Sequence, residues 1–155
     1  MGEQPTRIAA TAEVDPRARI GPGSAVWQLA TVREDAQVGA ECVIGRGAYV
    51  DAGVRLGDRV KVQNLALLYA PAVVEEGAFI GPAVVLTNDT YPRSVDPSGR
   101  LKRAADWPAR GVHVGRWASV GARAVVVAGV RVGAYALVGA GAVVTRDVPD
   151  YALVV

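Results

Sequence analysis

At 155 residues and 16.1 kDa the chain has the size of one domain; it is 51% hydrophobic but only 6% aromatic, with 18 Gly, 9 Pro and a formal charge of +2. A core so poor in rings has to be filled by Val, Ile, Leu and Ala, a composition that favours strands and turns over a helix bundle. No apolar run approaches the ~18 residues of a membrane span, the single Cys42 excludes a disulfide scaffold or multi-cysteine zinc site, the single His113 excludes sites needing several histidines from one chain, and the small net charge carries no nucleic-acid or membrane signal.

In chain order, the opening MGEQPTRIAA lacks a charged-then-apolar leader, so a cytoplasmic location is expected. At Ile8 a six-residue period begins. It runs Ile8, Val14, Ile20, Val26, Val32, Val38, Ile44, Val50, Leu56, Val62, Leu68, Val74, Ile80, Leu86, and resumes as Val114, Val120, Val126, Val132, Val138, Val144. All 20 positions are Val, Ile or Leu, and four residues after almost every one stands Ala, Ser, Cys or Val. A helix repeats at 3.6 residues and a half-buried strand at two, so neither produces strict hexads over this length. A triangular parallel β-helix does, with three short strands per coil and two inward side chains per strand. The hexads make about seven coils, stacked over about 30 Å at the usual strand spacing, in one domain spanning 8–155. Cys42 falls in a small inward slot and is expected to be an inert core residue.

Before the one interruption, KVQN places Gln63 on an outward strand position and Asn64 at a corner. LTNDTYPRS then places Asn88 and Asp89 at another corner. Both asparagines also suit tight turns, where Asn tolerates left-handed backbone. From Thr90 to His113 the hexads vanish, and this loop, 90–113, carries five cations (Arg93, Arg100, Lys102, Arg103, Arg110) against Asp96 and Asp106, a net +3. Long excursions from rigid scaffolds tend to carry function; Trp107 adds an indole suited to covering a ligand. His113 stands one residue before inward Val114, so its side chain should point outward. Asn64 and Asn88 fall on different corners, and could share a pocket if three chains packed around a threefold axis, one residue from each neighbour.

Together KVQN (61–64), EEGAFIGP (75–82), LTNDTYPRS (86–94) and the closing VGAGAVVTRDVPDYALVV resemble the hexapeptide-repeat acyltransferases, and among them the N-acetyltransferases of nucleotide-linked 3-amino sugars. The resemblance implies an all-β, left-handed parallel β-helix with one long loop excursion, and an acetyl-CoA-dependent transfer to the amine of a nucleotide-diphosphate-linked amino sugar. The TND aspartate leans toward a dTDP-3-amino-3,6-dideoxyhexose. It implies a homotrimer with sites between subunits, acetyl-CoA as co-substrate and no metal. Nucleic acid and membrane are not expected as partners.

The same resemblance puts Asn88 at the reacting corner, with Asp89 and His113 as further catalytic candidates and Asn88 expected to matter more than His113. An Asn cannot act as a general base at neutral pH, so its role would be to orient the amine toward an already activated thioester. Gln63, Asn64, Tyr69, Tyr91, Arg93 and Trp107 are substrate-binding candidates, the arginine suited to phosphate. Ala118, Gly121, Ala136 and Gly139 are positional candidates for the pantetheine arm. Another O- or N-acyltransferase on the same repeat, or a non-catalytic scaffold, are the rival readings. A zinc enzyme on this repeat would need about three histidines, and an ice-binding face would need a regular threonine ladder. The outward Trp27, Arg33, Asp51, Gln63, Tyr69, Glu75 and Thr87 form no such ladder.

Overall fold

The computed structural model describes residues 5–155. Every expected aliphatic slot is the second residue of a two-residue strand, from Arg7–Ile8 to Val143–Val144, and one further strand, Leu153–Val154, follows. Each strand pairs in parallel with the strand three places on, except that Leu137–Val138 pairs with Leu153–Val154 two places on, so three flat faces run the length of the molecule with eight, seven and six strands. The first face begins with Arg7–Ile8, the second with Glu13–Val14 and the third with Arg19–Ile20. Seven coils are complete, the last third-face strand being a single bridge from Val148 to Val132, and Leu153–Val154 starts an eighth.

The register explains both irregularities. Partners lie 18 residues apart throughout the lower coils, as in Val38 with Leu56. Across the excursion Val74 pairs with Val114, so 22 residues have been added without shifting a single inward side chain. At the far end Val138 pairs with Val154, two residues short of a full coil. The strand that resumes the lattice begins at His113, which is therefore a face residue rather than part of the loop.

From Ser24 and Val26 to Val148 the inward positions of the strands are buried, giving one continuous column of Val, Ile, Leu, Ala and Cys, with Ala152 and Val154 partly buried at its end. Stacking makes this core, because no coil has a buried interior alone. Ser24 is accommodated by donating to the Gly39 carbonyl (2.9 Å) and accepting from the Cys42 amide (2.9 Å). Cys42 is fully buried, and burial pushes its thiol up from the ordinary range. At the corners Leu29, Asp35, Glu41 and Arg59 take φ of 55–60°, the left-handed turn that lets the chain bend onto the next face. No helix among the described residues is long and apolar enough to cross a membrane.

Candidate functional site

The excursion leaves and returns at one corner, between the second and third faces. The Arg110 amide donates to the Asn88 carbonyl (2.8 Å), and the Asn88 side-chain amide donates to the carbonyl of Ala70 in the coil below (2.6 Å). Asp51 takes the Ala70 amide from the other side (3.0 Å). Gly111 passes so close to the Pro71 carbonyl that no Cβ fits there. Asn88 thus ties the root of the excursion to the lattice with its nitrogen, leaving its side-chain oxygen as an acceptor.

Within the excursion the charge is organised. Asp96 accepts from the Ser98 hydroxyl (2.7 Å) and the Ser98 and Arg100 amides, and Arg100 bridges Asp96 (3.1 Å) to both oxygens of Asp106 (3.2 Å each). The Ser98 hydroxyl, seconded by the Arg100 amide, holds the Asp96 carboxyl below its usual range; the Arg100 guanidinium does the same for Asp106. Arg100 is therefore consumed as a brace. Lys102 and Arg110 instead line a concavity of about 340 Å³ with Asp89, Thr90, Tyr91, Asp106, Trp107 and Pro108. The Thr90 hydroxyl there is buried without a hydrogen-bond partner. Asp89 accepts from the Tyr91 amide (2.9 Å), turning the chain into this concavity.

Three residues past Arg110 the third face resumes with His113. Its Nε2 lies 2.6 Å from Oε1 of Glu75, while Oε2 of Glu75 accepts from the Arg116 amide (2.9 Å). The hydrogen bond from His113, aided by the Arg116 amide, lowers the Glu75 pKa against the partial burial that raises it. An ionised Glu75 accepts a hydrogen bond from Nε2–H, and in that tautomer Nδ1 carries the imidazole lone pair. Glu75 occupies a telling column. The same position after the other five strands of this face is Gly21, Gly39, Gly57, Gly115 and Gly133. At Gly57, for instance, a Cβ would stand 2.6 Å from the Glu76 backbone nitrogen. One carboxylate interrupts a glycine column, and it holds the chain's one histidine.

The structure thus brings Asn88, Asp89, Tyr91, Trp107 and His113 around one corner and the face beside it. Tyr69 adjoins Ala70 there, its ring 5.7 Å from that of Tyr49. Arg93 is exposed and donates to the Pro92 carbonyl (3.1 Å). Gln63 and Asn64 sit at a different corner, between the first and second faces, where Asn64 Oδ1 caps the Arg46 amide one coil below (2.9 Å). Ala118 and Ala136 point into the core, and their amides and carbonyls are taken by neighbouring strands or turns. Gly121 and Gly139 lie on the first face, away from His113. Glu75 and Arg116 escaped sequence reasoning, because their closeness to His113 depends on the register across the excursion. The lone break in the glycine column was the available signal. Among the described residues no group of His, Cys, Asp or Glu is arranged to hold a metal ion.

A family model described as the hexapeptide repeat of succinyl-transferase matches residues 36–65 and 111–146. Among solved structures, PerB from Caulobacter crescentus, crystallised with CoA and GDP-perosamine, is 31% identical over 97% of this chain and 54% of its own, with a TM-score of 0.57. A histidine-to-asparagine mutant of perosamine N-acetyltransferase from the same organism, also with CoA and GDP-perosamine, is 29% identical over 97% of this chain and 53% of its own (TM-score 0.56). The acetyltransferase domain of PglB from Neisseria gonorrhoeae shares the fold at 24% identity, over 96% of this chain and 53% of its own (TM-score 0.60). The chain spans about half the length of these structures. No curated protein sequence matches it. The resemblance to hexapeptide-repeat acetyltransferases of nucleotide-linked amino sugars is borne out by these comparisons.

Proposed function

We propose that the chain is an acetyl-CoA-dependent N-acetyltransferase acting on the amine of a nucleotide-diphosphate-linked amino sugar, with His113 as the general base. The observation that carries this reading is the His113–Glu75 pair, braced by the Arg116 amide, on the face that the cationic excursion adjoins. The structural relatives bound to CoA and GDP-perosamine support the same chemistry.

In this reading the sugar nucleotide enters the excursion's concavity, its diphosphate meeting Lys102 and Arg110 and its flat base meeting Tyr91 and Trp107. Asn88 Oδ1 accepts an N–H of the amine and turns its lone pair toward the thioester. The nitrogen attacks the thioester carbonyl and the C–S bond breaks. The nitrogen's surplus proton passes to Nδ1 of His113, the electron pair leaves on the CoA thiolate, and the imidazolium returns the proton to the sulfur, giving an amide and free thiol. Alignment of two bound reactants supplies a large part of the rate, and the positioned base typically adds 10²–10⁴-fold.

The assembly in this proposal is a homotrimer. The first and second faces carry outward apolar side chains, among them Phe79, Leu137, Leu153 and Val143, the last three about half exposed or more. The third face instead presents Arg19, Gln37, Arg55, His113 and Arg131, with Val73 as its one apolar member. Packing of the two apolar faces against neighbours would leave the polar face lining the cleft. Within the proposal the dTDP-3-amino-3,6-dideoxyhexose remains the preferred acceptor on the TND corner.

Thiol release measured with acetyl-CoA and a panel of dTDP-, UDP- and GDP-linked amino sugars tests the function. Turnover with at least one is expected, falling 10²–10⁴-fold in His113→Ala. No turnover with any acceptor, or full turnover in that variant, refutes the activity or the base respectively.

A further inference from the structure

The third face has a second edge, opposite the excursion, where it turns onto the first face. The left-handed corner position there is Gly23, Glu41, Arg59 and Gly77 in the lower coils, then Trp117, Tyr135 and Tyr151 in the upper ones. Their φ angles are 58°, 59° and 61°. This corner bends through the left-handed region in every coil, but nothing in the turn asks for a ring, and large aromatic residues are uncommon there. The rings are not hidden: Trp117, Tyr135 and Tyr151 are 43%, 50% and 75% exposed. They are nevertheless arranged. Tyr135 and Tyr151 stack with centroids 5.0 Å apart and planes 4° from parallel. Trp117 lies down over Gly77, where any Cβ would collide with it, and the Arg59 guanidinium, itself paired with Glu76, sits 6.0 Å from its ring centre.

Two further cations stand at this edge and on the face that leads to it. Arg116 precedes Trp117, and Arg131 lies next to His113 in the strand above. Both side chains are exposed, and among the described residues neither guanidinium is engaged by a carboxylate. Their amides are already spent on Glu75 and Asp147, which fixes where each side chain starts. Trp117 follows His113 by four residues, so their backbones are at most about 14 Å apart.

We infer that this edge binds a nucleoside diphosphate moiety, the base against Trp117, Tyr135 and Tyr151 and the phosphates on Arg116 and Arg131. Rings accept any base through its π-face, each changing affinity by about tenfold, and planar guanidinium forks suit phosphate oxygens. The identity of the ligand rests on the proposed function, because both of its substrates contain this chemistry: the adenosine diphosphate portion of CoA, and the diphosphate nucleoside of the sugar. Since the excursion offers a separate place for one of them, the edge would hold the other within reach of His113.

Two measurements on the full chain test this. In calorimetric titrations with CoA, adenosine 3′,5′-bisphosphate and dTDP, the double variant Trp117→Ala/Tyr135→Ala should bind at least one probe tenfold or more weaker than the parent, and Arg116→Ala should flatten the salt dependence of that probe. Equal affinities for all three overturn the inference, even if the variant proves to have lost an oligomeric contact. Should the variants fail to fold, photolabelling of the unaltered protein with azido derivatives of the adenosine and the pyrimidine nucleotide decides the matter. Label on the peptide carrying Trp117, Tyr135 or Tyr151 supports the site, and which derivative labels it identifies the substrate. Label confined to the excursion, or none, overturns it. A chain that labels at this edge yet acetylates no amino sugar would keep this inference and lose the proposed function; active enzyme labelled elsewhere would do the reverse.

Discussion

Replacing Glu75 with Gln removes a charge while keeping the shape of the side chain, so it isolates what the carboxylate does for His113. In the parent the two oxygens accept two donors, Nε2–H of His113 and the Arg116 amide. Gln has one carbonyl oxygen, and its NH₂ group can only donate. Whichever donor keeps the oxygen, the other faces an N–H, and a partly buried donor left unpaired costs about 1–3 kcal/mol. If the cost falls on holding the imidazole, kcat drops by about tenfold to hundredfold, with KM for both substrates within about threefold of the parent. The assay is steady-state thiol release, run on Glu75→Gln, His113→Ala and the double variant. In the proposed mechanism Glu75 acts through His113, so the double variant should be no slower than His113→Ala alone. A further tenfold loss in the double variant, or parent-like kcat in Glu75→Gln, refutes the reasoning. So would a loss expressed wholly in KM.

Further outcomes follow from the packing and the charges. The Glu75 carboxyl has its pKa lowered in the folded chain, so it contributes stability above its ordinary value near 4.5, and that contribution vanishes as pH falls through the lowered value; denaturant midpoints at pH 6 and pH 3 should differ less in Glu75→Gln than in the parent. Arg100→Ala frees Asp96 and Asp106 from their shared brace, and limited proteolysis should then cut between residues 93 and 106 faster than in the parent. Leu68→Ala opens a cavity at a fully buried slot and should cost about 2–5 kcal/mol in chemical denaturation. Cys42 should resist thiol reagents until the solenoid unfolds, reacting at the rate of global opening.

The lattice was legible because each inward slot accepts almost nothing but an aliphatic, and a period of six has no competing explanation. The excursion was visible as the gap between Leu86 and Val114, although His113 belongs to the face and not to the loop. What the pattern could not convey was register across that gap. Only with Val74 paired to Val114 does Glu75 come beside His113. Charge counting also treated all five loop cations alike, whereas Arg100 is locked between two carboxylates and Lys102 and Arg110 face the concavity. Ala118 and Ala136 are instructive in the other direction. Their hexad position already assigned them to the interior, and a residue turned inward has no side chain to offer a ligand.

The closure between the Asn88 carbonyl and the Arg110 amide makes the excursion a cassette. Whatever lies between those two residues is joined to the solenoid at one corner, and the strands before and after it keep their partners regardless of its length. Chain length is thermodynamically cheap in such a place, about 0.6 kcal/mol for each doubling. The coils supply a fixed ruler carrying the histidine and its carboxylate, and the inserted segment can be exchanged like a tool head on that ruler. Under the proposed function, acceptor choice would change by insertion, deletion or recombination at a single seam while His113 and Glu75 stay where they are.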